Sequence, residues 1–219
     1  QNIKRMCQYG RECGAAGILN TDWGDCGHIN HPDFGITGMI YGAVLSWGSE
    51  MPAYEELNRQ ISFLAFRDRS EKFVSIIEKL SRTWIYQWYD AVDFMEKRSE
   101  AKDSTQRAGL PEAVRGLEAC AKELCGLLPE LDSAVKACVP PYLMAIDGMI
   151  LLQKVGAFVS VREYGTAPLF SENAADLAAE LEEWFYEYKE EWRRVSRESE
   201  LYRIESVICW YADYLRREF

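Results

Sequence analysis

Two runs of residues combine types and spacings that suit chemistry. In the first, Gly17-Ile18-Leu19-Asn20-Thr21-Asp22 leads to Trp23-Gly24-Asp25-Cys26-Gly27-His28. In the second, Gly38-Met39-Ile40-Tyr41-Gly42 leads through Ala43-Val44-Leu45-Ser46 to Trp47. Each is an apolar run that closes on a tryptophan, and the first adds an acid on a glycine-hinged turn. An indole offers a flat apolar face to the C–H side of a pyranose ring, and a carboxylate accepts hydrogen bonds from sugar hydroxyls. Trp23, Asp25 and Trp47 are therefore candidate carbohydrate contacts. His28 either holds the loop by donating a hydrogen bond or reaches into the same pocket.

Other constellations are weaker. Cys26, His28 and His31 are all zinc-binding types, but their spacing matches no strong pattern and no fourth ligand is apparent, so no metal is expected. There is no Gly-x-Ser-x-Gly, no phosphate-binding glycine loop and no dinucleotide fingerprint. No cofactor is implied, and no residue of this chain is assigned a catalytic role.

The two tryptophans need elements that place them on one rim. Ile18 to Thr21 reads as a short buried strand. Gly24 and Gly27 bracket a tight turn, Gly35 to Tyr41 can hold a short helix, and Ala43 to Trp47 reads as a second strand. The resulting order is that of βα units, whose sites lie at the carboxyl ends of strands. From Pro52 onward strand signals vanish. Phe73, Ile77, Leu80, Trp84, Trp88, Val92 and Met95 form one helical stripe, and Leu177, Leu181, Trp184, Tyr188, Trp192 and Val195 form another. A third runs Leu201, Ile204, Ile208, Tyr211 and Leu215.

A helix is expected from Leu110 to Gly126 with Pro111 in its first turn, and a helix pair over 131–155 that Pro140-Pro141 should bend or split. Breaks fall at 97–109 and 164–168, with Ser171 and Ser199 as expected N-caps. The fold class expected is mainly α: a helical bundle preceded by a small α/β remnant. Residues 1–50 form the α/β part and 51–219 the helical part. The aromatic residues near Trp84–Tyr89 and Trp184–Trp192 exceed what one core stripe needs, so some face outward or pack against another body.

The 219 residues carry a net charge of −10 and no basic block, which argues against a nucleic-acid partner. The most apolar stretch, 137–161, contains Pro140-Pro141, Asp147 and Lys154 and makes a poor membrane span. Seven cysteines without a Cys-x-x-Cys pair read as reduced interior thiols, which favours a cytoplasmic location. The chain opens on Gln1 inside an amphipathic pattern, as a piece of something longer does.

Asn20 to His28 and Gly38 to Trp47 resemble the last barrel strands of glycoside hydrolase family 20, the β-N-acetylhexosaminidases, and in particular bacterial members whose barrel precedes a helical domain. The tail Trp192-Arg193-Arg194-Val195-Ser196-Arg197-Glu198-Ser199-Glu200-Leu201 looks like the end of that helical domain. The resemblance implies that residues 1–50 are the terminal βα units of a (β/α)8 barrel. It also implies a retaining mechanism in which the substrate's own acetamido oxygen attacks the anomeric carbon. In such enzymes an adjacent Asp-Glu pair supplies acid/base catalysis and orients the acetamido group, and no Asp-Glu dipeptide occurs in this sequence. By the same resemblance Trp23 and Asp25 contact sugar hydroxyls and Trp47 floors the pocket. The chain would then hold part of an N-acetylamino-sugar site in its parent protein, and be inactive alone. Unclosed strands would leave edges prone to self-association. The competing readings are a non-catalytic helical interaction module and a family member that only binds sugar.

Overall fold

Residues 2–48, 52–97 and 108–217 are described by a computed structural model. Every regular element among them is helical, and the only β-type pairing among them is an isolated bridge between Asp68 and Leu131. The expected α/β remnant is therefore absent, and with it the terminal βα units of a barrel and the strand edges invoked for self-association. Residues 18–21 have no partner strand, and Leu19 is 87% exposed. Residues 43–47 instead continue α2 (Gly35–Trp47), closed by the Gly48 N–H on the Val44 carbonyl. A short apolar run suits either state. A helix satisfies its own backbone groups, whereas a strand requires a neighbour, and none is present here.

The chain begins with α1 (Asn2–Glu12), whose Arg11 guanidinium donates to the Leu45 carbonyl at 2.6 Å and so ties α1 to the end of α2. α3 (Tyr54–Leu64), α4 (Phe73–Thr83) and α6 (Leu110–Leu127) follow, with α5 (Trp88–Lys97) between the last two. α7 (Val139–Tyr164), α8 (Ala174–Val195) and α9 (Leu201–Arg216) complete the bundle. Two apolar clusters form its core. One packs α3, α4 and α6 against the first half of α7, around Phe73, Leu117, Leu124 and Ile146; the other packs α5, α8 and α9 against the second half, around Val155, Leu181, Ile204 and Tyr211.

α7 serves both clusters, which explains its apolarity. By length and hydropathy 136–164 could cross a bilayer, but 56% of its most apolar window is buried within the protein. Pro140 and Pro141 do not bend or split it. They lie in its first turn, where a missing N–H is not needed. Gly165 ends the helix in the left-handed region at φ 62°, with its N–H on the Val161 carbonyl.

Several boundaries differ from expectation because side chains distant in sequence decide them. The stripe from Phe73 to Met95 is two helices, broken at 84–87, where the buried Gln153 side chain receives the Ile85 and Tyr86 N–H groups. α4 starts where Asp68, fully buried, accepts from the N–H groups of Ser70, Lys72 and Phe73. α8 is capped by Asn173, whose Oδ1 accepts from the Asp176 N–H at 2.8 Å, rather than by Ser171. Ser199 lies in a 3-10 turn that runs into α9 without a side-chain cap. Of the expected break at 97–109, residues 98–107 lie outside the described residues. α6 does begin with Pro111 in its first turn.

Candidate functional site

The two sequence runs pack directly on each other. Gly35, Gly38 and Gly42 share one face of α2, and Asn20 crosses it, donating from Nδ2 to the Gly38 carbonyl at 3.1 Å. A methyl group on Gly42 would collide with the Asn20 side chain, and one on Gly35 would come within 2.8 Å of Asp22 Oδ2. Glycine is thus what lets this loop lie against the helix. The loop then turns through a 3-10 segment, Asp25–Gly27, with Cys26 and His28 both left-handed at φ 56° and 55°. Left-handed residues other than glycine store strain that surrounding contacts must hold. Here Trp88 Nε1 donates to the Cys26 carbonyl at 2.8 Å and the Tyr188 hydroxyl to the Ile29 carbonyl at 2.9 Å, stapling the loop to α5 and α8.

The four expected sugar contacts do not converge. Trp23 is 75% exposed, with its indole N–H on Thr21 Oγ1 at 3.0 Å, and Asp25 is exposed beside it. His28 folds over Gly24, where a Cβ would lie 2.4 Å from its Nδ1, so it packs within the loop. Trp47 is 91% exposed at the far end of α2, about 18 Å beyond Gly35 at 1.5 Å per residue. Trp23, Asp25 and His28 share one loop; Trp47 stands apart.

The loop instead forms one wall of a cavity of about 320 Å³ that none of those four residues lines. Its aromatic lining includes Trp84, Trp88, Trp184, Trp192, Tyr142 and Tyr188. Each indole N–H is already engaged by a backbone carbonyl: Trp84 with Ser81, Trp88 with Cys26, Trp184 with Met144, and Trp192 with Arg197. Along α8, Trp184 stacks on Tyr188 at 5.0 Å, and Tyr188 lies 6.0 Å from Trp192. Across the cavity Phe34 stacks on Tyr142 at 4.3 Å. The indole donors of the lining are therefore already engaged.

Its polar groups are few. His31 accepts the Asp33 N–H at Nδ1, which directs Nε2 toward Glu191 Oε1 at 3.6 Å. Glu191 also pairs with Arg194 at 2.9 Å. Tyr142 is only 3% exposed, and its hydroxyl has no hydrogen-bond partner among the described residues. Burial holds the Tyr142 and Tyr188 hydroxyls well above their ordinary pKa, so both stay protonated.

Among the described residues no group of three His, Cys, Asp or Glu side chains is placed to hold a metal. All seven cysteines are free. Contrary to the interior placement expected, Cys13, Cys125 and Cys209 are exposed, and only Cys7 and Cys120 are fully buried. Burial raises the thiols of Cys26 and Cys120, and that of Cys138 to about 11, the opposite of nucleophile activation.

Comparison with protein-family models, with curated proteins and with solved structures finds no match to this chain. Sequence reasoning missed the cavity because its tryptophans fall on stripes that also read as core. The available signal was the surplus of aromatics around Trp84–Tyr89 and Trp184–Trp192.

Proposed function

We propose that this chain contributes amino-sugar recognition to a β-N-acetylhexosaminidase of the family 20 type and carries no acid/base pair of its own. The observation that supports this reading is the seating of Asn20 and Asp22 on the glycine face of α2, which packs together the two segments that carry the resemblance. It leaves the Trp23 indole face open to a pyranose, with the Asp25 carboxylate two residues away as a hydroxyl acceptor. No Asp-Glu dipeptide occurs in the sequence, so protonation of a leaving group has to come from elsewhere in the parent protein.

The test has two arms. Hydrolysis of a nitrophenyl N-acetyl-β-glucosaminide is measured for this chain and for the full-length product of its gene, and N-acetylglucosamine binding is followed by NMR for this chain and for Trp23→Ala. Turnover by the full-length protein alone, with binding by this chain that Trp23→Ala removes, is the expected result. No turnover by either protein and no binding would leave a non-catalytic helical interaction module.

A further inference from the structure

We infer that the cavity between the 29–34 loop and helices α4, α7 and α8 is a binding site for an uncharged apolar molecule of one or two rings. It is separate from the sugar reading, since none of Trp23, Asp25, His28 or Trp47 lines it. Its volume of about 320 Å³ stands at the lower end of small-molecule sites, which suits a compact ligand. Native interiors hold few voids larger than a water molecule, and the penalty for an unfilled apolar space rises with its volume. A space of this size beside the buried Leu80, Trp88, Leu181 and Trp184 is out of proportion to a packing defect.

Charge separates the ligand classes first. Among the described residues that line the cavity none is Lys or Arg, and Glu191 is the one carboxylate, so an anion meets repulsion and no counter-charge. A cation gains little, because Glu191 is already paired with Arg194 at 2.9 Å and lies 3.6 Å from His31 Nε2. Taking an ion out of water without a new partner is costly, so both signs are disfavoured.

Hydrogen bonding separates them further. The four indole N–H groups, the Tyr188 hydroxyl and the Ser81 hydroxyl all donate to backbone carbonyls of the protein itself. The Tyr142 hydroxyl is buried out of reach of solvent. Asn30 and Ser196 are the other polar residues of the wall, too few to replace the hydration of a polyhydroxylated ring.

Apolar contact is what the wall does supply. Ile77 on α4, Met149 and Leu152 on α7, Leu181 on α8 and Ile208 on α9 all line the space, together with the aromatic residues. An apolar ring entering it leaves water, and aromatic neighbours attract it whether they meet it offset-stacked or edge to face. Met144 and Met149 add flexible side chains that adapt to the outline of a guest.

The experiment titrates naphthalene, with 2-naphthoate and 2-naphthylmethylammonium as its charged counterparts, into the whole chain carrying 13C-methyl methionine. The ring current of bound naphthalene should shift the Met144 and Met149 methyl signals and leave those of Met6 and Met39, exposed on α1 and α2, in place. Naphthalene should bind one to one and at least about tenfold more tightly than either ion. Excess N-acetylglucosamine should not displace it. Ala145→Phe, which fills the cavity, should abolish binding; if that variant does not fold, the methyl shifts of the wild-type chain decide. Shifts confined to Met6 and Met39, an ion that binds as tightly as naphthalene, displacement by the sugar, binding that survives in folded Ala145→Phe, or no binding would each overturn the assignment.

Discussion

The Gln153 carboxamide holds both backbone groups of Tyr86: its Oε1 accepts the Tyr86 N–H and its Nε2 donates to the Tyr86 carbonyl, each at 2.9 Å. The same Oε1 takes the Ile85 N–H, and Nε2 also donates to the Met149 carbonyl. A fully buried glutamine on α7 thus supplies the hydrogen bonds that residues 84–87 give up where α4 ends and α5 begins. Close approach is possible because Gly156 leaves room for the Tyr86 ring, which a Cβ there would meet at 2.6 Å. Gln153→Leu should therefore destabilise the fold by about 3 kcal/mol, since it strands several buried backbone groups. Urea denaturation should show the midpoint falling with the slope unchanged.

Asp68 gives stability a defined pH dependence. Burial alone raises its carboxyl, but hydrogen bonds from Ser70, Phe73 and Lys72 outweigh burial and hold its pKa below the ordinary carboxylate value. A carboxyl whose folded pKa is depressed stabilises the fold above its unfolded pKa, about 3.9, and this contribution is lost as pH falls through the folded value. Asp68→Ala should cost about 3 kcal/mol at pH 7, by chemical denaturation. The gap between wild type and variant should narrow only below about pH 4. A gap that closes already between pH 7 and 5 would contradict the assignment.

Asp147 behaves in the opposite sense. Partial desolvation at an exposed position on α7, reinforced by Glu187, raises its carboxyl, so its ionised form opposes folding slightly at neutral pH. Because solvent screens an exposed carboxylate, Asp147→Asn should raise the melting temperature at pH 7 by only a small amount. That advantage should shrink as the pH falls and wild-type Asp147 takes up its proton in the folded state.

Tryptophans in this chain should divide sharply by mutation. Trp47 is 91% exposed, and Trp47→Ala should change stability by no more than about 0.5 kcal/mol. Trp184 is buried, donates to the Met144 carbonyl and packs so closely on Gly148 that a Cβ there would meet its ring at 2.5 Å. Trp184→Ala should cost about 3 kcal/mol or more. Thermal unfolding of the two variants side by side is the measurement.

Gly42 controls the loop that carries Trp23. Because a Cβ at this position would collide with Asn20, Gly42→Ala should release the 20–24 segment while leaving α2 and the bundle intact. Limited proteolysis should show faster cleavage within 18–24 and an unchanged global melting temperature. Equal cleavage rates in wild type and variant would mean that the Asn20 contact does not restrain the loop.

Much of the helical part was legible because periodic apolar positions must face a core whatever the details of packing. The stripe of α8, the stripe of α9 and the start of α6 at Pro111 all follow from local pattern. Boundaries set from afar were not legible. Nothing near Trp84 announces that Gln153 will break the stripe, and Asn173 displaced Ser171 as the α8 cap through a hydrogen bond to Asp176. Residues 43–47 were misread because five apolar and small residues carry no usable period of their own.

The site divides in the same way. Its aromatic surplus was visible as composition along two stripes. Whether Trp84, Trp88, Trp184 and Trp192 would fill a core or ring a cavity depends on which faces of α4, α5 and α8 meet the 29–34 loop.

By itself the sequence determined which residues face inward along α9 and, as far as Trp192, along α8, since period and apolarity are local properties enforced by burial. Only the tertiary structure decided that the Asn20 loop lies on a glycine face and that four indoles surround one space. It also decided that a glutamine on α7 ends a helix far from it in sequence. Those outcomes depend on contacts between distant segments, whose geometry no local pattern encodes.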